Sequence, residues 1–211
     1  LYVDSSNQLW IATYSDGVFR YNGENSSYSR FSRKNGLVGN KARCFEELAS
    51  GVMVVGTTDG ISFIWDGRVL ANTDLAQIHS NYMLFPETFV LAVAEDDNGC
   101  LFVATDRNGI YAAAKDELIH ISSADGLSGD VILRLCPDER GGGMFVGTGA
   151  GLDYITDDFQ IKNLASFDNS SILDIRITDD NRVWLLTENE IYIINYDEIF
   201  GEFTPEVIGK S

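Results

Sequence analysis

The chain has 211 residues, 45% of them hydrophobic and 11% aromatic, enough to bury a sizeable core and too apolar for a disordered segment. Its formal net charge of −17 argues against nucleic acid and against anionic lipid, because phosphate binding needs a concentrated Lys/Arg surface. No apolar stretch approaches the length of a membrane span, and three cysteines cannot close a disulfide framework. Cys44, Cys100 and Cys136 each stand beside apolar residues and are expected to be buried thiols.

Leu1 falls in mid-pattern, so the chain reads as a piece of a longer protein. Residues 2–13, YVDSSNQLWIAT, predict a strand, an acidic turn and a second strand ending at Thr13; polar residues then lead to Gly17 and the strands VFRY and SYSRF. After Gly36-Leu37 and Asn40 the pattern returns, with MVVG before Thr57, Gly60, ISFIW and RVLAN. A longer segment, TDLAQIHSNYMLFPET (73–88), interrupts it; the stretch from Leu70 to Val90 is about twice its counterparts, and no convincing helix is read there or elsewhere.

The third copy, AVAEDDNGCLFVAT (92–105), continues through Gly109 into IYAA and LIHIS. Its Asp96-Asp97-Asn98-Gly99 invites a calcium-loop reading, but the twelve-residue ligand spacing between helices is missing, so turn chemistry is expected. Gly126-Leu127 and Asp130 open the fourth copy. Its GTGAGLDYI (147–155) is a hairpin between strands and no phosphate cradle, because no helix follows the glycines. The fifth copy, RITDDNRVWLLT (176–187) with IYII, departs: Asp168-Asn169 replaces Gly-Leu, Leu186 replaces the small residue before the threonine, and Glu190 replaces the hairpin glycine.

Thr13, Thr57, Thr105, Thr148 and Thr187 thus recur about every 43 residues. Three large apolar residues before each threonine mean a strand buried on both faces. The small fourth residue (Ala12, Gly56, Ala104, Gly147) suits close approach of a neighbour, and the hairpin glycines (Gly17, Gly60, Gly109, Gly151) suit positive φ. Four strands per repeat predict an all-β fold, a β-propeller of four-stranded antiparallel blades with about five blades here, or a fragment of a seven-bladed ring. The approximate repeats are 1–36, 37–74, 75–125, 126–166 and 167–211, taken as one domain. A cut ring would leave blade faces exposed and favour a homo-oligomer.

Gly36-Leu37 with Asn40, Gly126-Leu127 with Asp130, Leu9-Trp10-Ile11-Ala12-Thr13 with Gly17, and Met144-Phe145-Val146-Gly147-Thr148 with Gly151-Leu152 resemble the two-component regulator propeller repeat over essentially the whole chain. That resemblance implies an extracytoplasmic, periplasmic or cell-surface sensor domain of a membrane-anchored bacterial signalling protein, a hybrid kinase or diguanylate cyclase. The membrane link and output would then lie outside this chain.

On a propeller, ligands meet the connections entering each inner strand and the hairpins after each threonine. The entries supply Asn40, Lys41, Arg43, Thr88, Asp130, Arg134 and Ser170; the hairpins supply Tyr14, Asp16, Asp59, Asp106, Arg107, Asn108 and Glu188. Arg43 and Arg134 stand out, each just before a buried-looking strand core. His79, Tyr82 and Phe85 of the insertion could reach over the channel mouth. Such groups suit a small polar ligand, carbohydrates included. Only two histidines are present, His79 and His120, without metal-ligand spacing, and no nucleophile elbow occurs, so neither metal, cofactor nor catalytic residue is assigned. Three readings stay open: a non-catalytic ligand sensor, a protein–protein interaction platform, and a lyase or glycosidase, which would need two convergent carboxylates.

Overall fold

The computed structural model describes residues 1–115, 117–164, 167, 169–201 and 206–208, without the side chain of Ser80. Asp168 of the fifth repeat lies outside the described residues. Five four-stranded antiparallel sheets follow one another along the chain. The first holds β1 Tyr2–Val3, β2 Leu9–Ala12, β3 Val18–Asn22 and β4 Ser27–Phe31; the second β5 Ala42–Glu47, β6 Met53–Thr57, β7 Gly60–Trp65 and β8 Arg68–Val69. The third holds β9 Val90–Glu95, β10 Leu101–Thr105, β11 Ile110–Ala113 and β12 Leu118–Ile121; the fourth β13 Ile132–Pro137, β14 Met144–Thr148, β15 Leu152–Ile155 and β16 Ile161–Asn163. The fifth holds β17 Ile172–Thr178, β18 Arg182–Thr187, β19 Ile191–Asn195 and β20 Glu206–Ile208. Within each sheet the strands pair in sequence order.

β6, β10 and β14 are buried at every residue, as their unbroken apolar runs require. The recurrent threonine explains the repeat chemically. Its hydroxyl donates to the carbonyl of the last turn residue before the next strand, at 2.8 Å for Thr13 to Gly17 and 3.0 Å for Thr187 to Glu190. The same oxygen accepts a backbone N–H from the turn, at 2.9 Å from Asp16 and 3.1 Å from Glu190. Thr57, Thr105 and Thr148 do likewise, so the side chain closes every hairpin even where the fifth copy lacks its glycine.

Gly147 shows why a small residue precedes the threonine: a Cβ there would lie 2.8 Å from the Ile172 carbonyl and 3.0 Å from its Cγ2, on the following sheet. The fifth sheet has Leu186 at that position, 41% exposed. Gly151 corrects an expectation, since its φ is not positive. It is small because a Cβ would meet Ser128 Oγ at 2.8 Å.

The chain folds into two compact units: residues 1–95 with 99–103 and 111–119, and residues 96–98 with 104–110 and 120–211; the division runs within the third sheet. In the first unit, Trp10, Phe31, Phe45, Val55 and Ile64 pack between the first two sheets, and Val54, Phe63, Val90, Val93 and Leu101 form a second cluster. In the second unit, Phe145, Tyr154, Ile172, Ile175, Val183 and Leu185 join the fourth and fifth sheets.

The insertion is not the helix-free loop expected. Helix α1 spans Asn72–Ile78 and a 3-10 turn spans Ser80–Leu84. Asp74 accepts from the Ala71 N–H at 3.0 Å and pairs with Arg68 at 2.8 Å, which together fix the helix start. Arg68 beside it holds the Asp74 carboxyl below its ordinary pKa, and the Ala71 N–H adds to this. Seven residues are too few for a periodic signal to stand out.

In the acidic turn of the third copy, Asp96 accepts from the Asn98 N–H at 2.9 Å, the turn chemistry expected there. Asp138, 1% exposed, ties the fourth sheet to the fifth by accepting from Tyr154 Oη at 2.9 Å and Tyr196 Oη at 2.7 Å. The three cysteines are thiols; Cys100 is buried and precedes β10, whereas Cys44 and Cys136 are half-buried. Burial pushes the Cys136 thiol up.

Candidate ligand-binding site

Several polar residues expected at the inner-strand entries and hairpins are engaged within the protein, two of them on backbone groups. Asn40 Oδ1 accepts the Arg33 N–H at 2.8 Å while its carbonyl accepts from Gly17 at 2.9 Å. Asp130 does the same two repeats later: it holds the Ser123 N–H and hydroxyl at 2.7 and 2.8 Å, and its carbonyl takes N–H groups of Arg107 and Gly109. Both side chains therefore anchor the connection into the next sheet. Asp16 is paired with Arg30 at 2.7 Å, and Asp59 with Arg33 at 2.8 Å. Arg107 holds a positive φ of 95°, and the Asn108 carbonyl lies 2.8 Å from His120 Nε2. Lys41 Nζ sits 4.1 Å from the centre of the Tyr14 ring, which is 78% exposed. The Lys41 ammonium beside it holds the Tyr14 hydroxyl below its ordinary pKa.

Arg43 and Arg134 are not equivalent, contrary to the sequence reading. A β-bulge opens β5, β13 and β17, with register shifts at Ala42/Cys44, Ile132/Arg134 and Ile172/Asp174. The bulge re-aims one residue per strand. Arg43 is the bulged residue, matching Leu133 and Leu173, whereas Arg134 stands opposite Gly147 as Cys44 stands opposite Gly56. Neither is buried. Arg43 lies over Phe89 at 5.0 Å, and Arg134 pairs with Asp174 at 2.9 Å with both side chains about half exposed. Solvent screening makes such a pair weak: Asp174→Asn should change unfolding free energy by less than about 1 kcal/mol in urea melts.

The insertion corrects another expectation. Tyr82 does not reach outward; it is buried, stacked on Phe63 at 4.8 Å and on His79 at 4.7 Å. Burial, with a smaller contribution from the Glu95 charge, pushes its hydroxyl up to about 12. His79 ends α1, and Phe85 packs against the same cluster. Asn81 donates to the Ala114 carbonyl at 2.8 Å, fastening the insertion to the third sheet's share of this unit.

This packing leaves a cavity of about 240 Å³ between the start of β7, the turn at Gly36 and Val38, and the insertion. Phe63, Tyr82, Phe85 and Pro86 give it aromatic and apolar walls, and Asn72 and Glu87 stand at its exposed rim. Ser62 lines it with its hydroxyl engaged by the Val38 N–H at 2.9 Å. Of the candidate ligand residues named from the sequence, only Tyr82 and Phe85 line this cavity. Asn72 and Glu87 were missed because they look like ordinary polar loop residues until the insertion folds back on β7.

No protein-family model matches the chain, and no curated protein does. Solved structures do. The chain is similar to the extracellular domain assigned to a hybrid two component system of B. thetaiotaomicron, with TM-score 0.72 and 20% identity over 97% of this chain and 27% of that one. An extracellular domain assigned to a one component system of the same organism gives TM-score 0.71 and 19% identity over 92% of this chain and 29% of that one. A catalytically inactive virginiamycin B lyase from Staphylococcus aureus, with quinupristin, gives 0.70 and 16% over 100% of this chain and 69% of that one. This chain spans less than a third of the length of the two extracellular domains. At these identities the likeness establishes the fold: the five sheets are blades of a β-propeller.

Proposed function

We propose that this chain is a non-catalytic, ligand-sensing propeller domain of a bacterial signal-transduction protein, of the two-component regulator propeller kind and exposed outside the cytoplasm. The observation that carries this reading is the likeness of nearly the whole chain to extracellular domains of two component and one component systems. The cavity against the insertion supports the ligand-binding half. It joins apolar walls to a few polar rim groups, the chemistry of a small-molecule site. A ligand touching both β7 and the insertion would favour one arrangement of that segment, and this population shift is the signal passed to the output. The likeness to a lyase raises the catalytic alternative, but the cavity offers one carboxylate, Glu87, and no second acid or histidine among its lining residues.

The test is a thermal-shift screen of the chain against oligosaccharides and organic acids, run beside Asn72→Ala and Glu87→Gln. Both side chains are exposed, so neither change should disturb the fold. A ligand at about a hundred times its Kd should add roughly 2.7 kcal/mol, a rise of a few degrees. A hit weakened by both substitutions supports the reading. A library without a saturable hit, or a hit indifferent to both, overturns it.

A further inference from the structure

A second, smaller cavity of about 120 Å³ lies between the first two sheets at the other end of their strands, and it shares no lining residue with the first. Arg20 is the unusual group in it. On β3 it stands opposite Trp10, as Phe63 stands opposite Val54 and Tyr154 opposite Phe145. Phe63 and Tyr154 are buried at 2% and 4% exposure, and the Tyr154 hydroxyl is met by Asp138. The first sheet places a guanidinium there instead. Arg20 Cζ lies 5.5 Å from the centre of the Trp10 ring and 5.8 Å from that of Phe31, so two aromatic faces hold it in one orientation.

Among the described residues no hydrogen bond or ion pair engages the Arg20 guanidinium, although three carboxylates line the same cavity. Two of them are occupied. Asp4 accepts from the N–H groups of Ser6 and Gln8 and from Trp10 Nε1, at 3.0, 2.8 and 2.8 Å. Glu47 holds the Ser5 N–H and hydroxyl at 2.7 and 2.8 Å. The third, Asp66, accepts no hydrogen bond from a described residue. It sits with Gly67 in a tight turn of positive φ, 48° and 73°, and Arg20 reaches that turn: a Cβ on Gly67 would lie 3.6 Å from its Nη2. Trp65, 50% exposed, forms the outer lip.

A bare anion would take Arg20 but meet three carboxylates, and a bare cation would meet Arg20. A ligand carrying both charges satisfies both sets of groups. The volume equals that of about four waters at roughly 30 Å³ each, the size of an ammonium–carboxylate head. We infer that this cavity binds the zwitterionic head of a free α-amino acid. The α-carboxylate takes the free N–H edge of Arg20, the ammonium faces Asp66, and the side chain leaves across Trp65. This inference stands independently of the first cavity.

Calorimetric titration of the chain with glycine, L-alanine, L-serine and L-phenylalanine tests it, with acetate, ethylammonium and methyl glucoside as controls. Saturable binding of at least one amino acid is expected, with none of the controls binding comparably. Arg20→Gln and Asp66→Asn should each weaken it roughly tenfold or more, and Glu87→Gln should leave it unchanged. Asparagine tolerates the left-handed turn, so Asp66→Asn reports on binding even if Arg20→Gln loosens the packing on Trp10. Absence of saturable binding by any amino acid, binding of methyl glucoside or acetate alone, or binding indifferent to Asp66→Asn overturns the inference.

Discussion

Asp138→Ala is expected to cost about 2–5 kcal/mol of stability, because it strands two tyrosine hydroxyls in a largely buried site. Tyr154 and Tyr196 both donate to the same carboxylate oxygen, and Gly141 is small because a Cβ there would lie 2.4 Å from it. Urea unfolding of the variant beside Tyr154→Phe would measure this. In the Asp138→Ala background, Tyr154→Phe should cost much less than in the parent, since the hydroxyl has already lost its acceptor. A loss below about 1 kcal/mol for Asp138→Ala would mean that the turn is held by its backbone alone.

The same knot sets an alkaline limit. Burial first, and then the Asp138 hydrogen bond, push both tyrosine hydroxyls well above their ordinary range. The unfolded chain sheds these protons near about pH 10 while the folded one keeps them. The unfolded state then binds fewer protons, and stability falls as pH rises above that point. Below it the contribution is fully present. Melts in the parent should weaken above about pH 10, and the fall should be shallower in Asp138→Ala.

Gly17→Ala has the other large expected effect, about 2–4 kcal/mol. Gly17 has φ of 82°, and a Cβ would lie 2.0 Å from the Phe31 carbonyl oxygen, a backbone atom that no rotamer change can move. Gly51, with φ of 80° and nothing within 4 Å of its would-be Cβ, is the control. Gly51→Ala should cost only the left-handed strain, about 1 kcal/mol. The difference between the two in thermal melts isolates the close approach of the hairpin to the end of β4. Equal losses would mean that the hairpin relaxes freely.

The blades were legible because the three middle repeats write the same local chemistry: a doubly buried strand, a small residue and a threonine that closes the hairpin, whereas β2 and β18 are buried only in part. Leu186 and Glu190 break that writing in the fifth copy, yet Thr187 alone preserves the turn. The candidate site was less legible. Asn40 and Asp130 look like ligand groups in a one-dimensional pattern, but their partners lie seven residues back, at Arg33 and Ser123. A bulge of one residue separates the roles of Arg43 and Arg134, and no composition rule signals it. Asp138 meets Tyr196 across 58 residues, a contact that only the packing of two sheets creates. The cavity at the insertion exists because Tyr82 stacks on Phe63 instead of reaching outward.

Hydrogen exchange of the chain with and without a ligand found in the thermal-shift screen decides whether the cavity at the insertion is the sensing site. Binding in the cavity should slow exchange of amides in residues 72–87 and in the turn at Gly36–Val38, where the ligand would join the insertion to β7. A ligand that binds saturably yet leaves those amides unchanged would contradict the account and place the sensing surface elsewhere on the propeller.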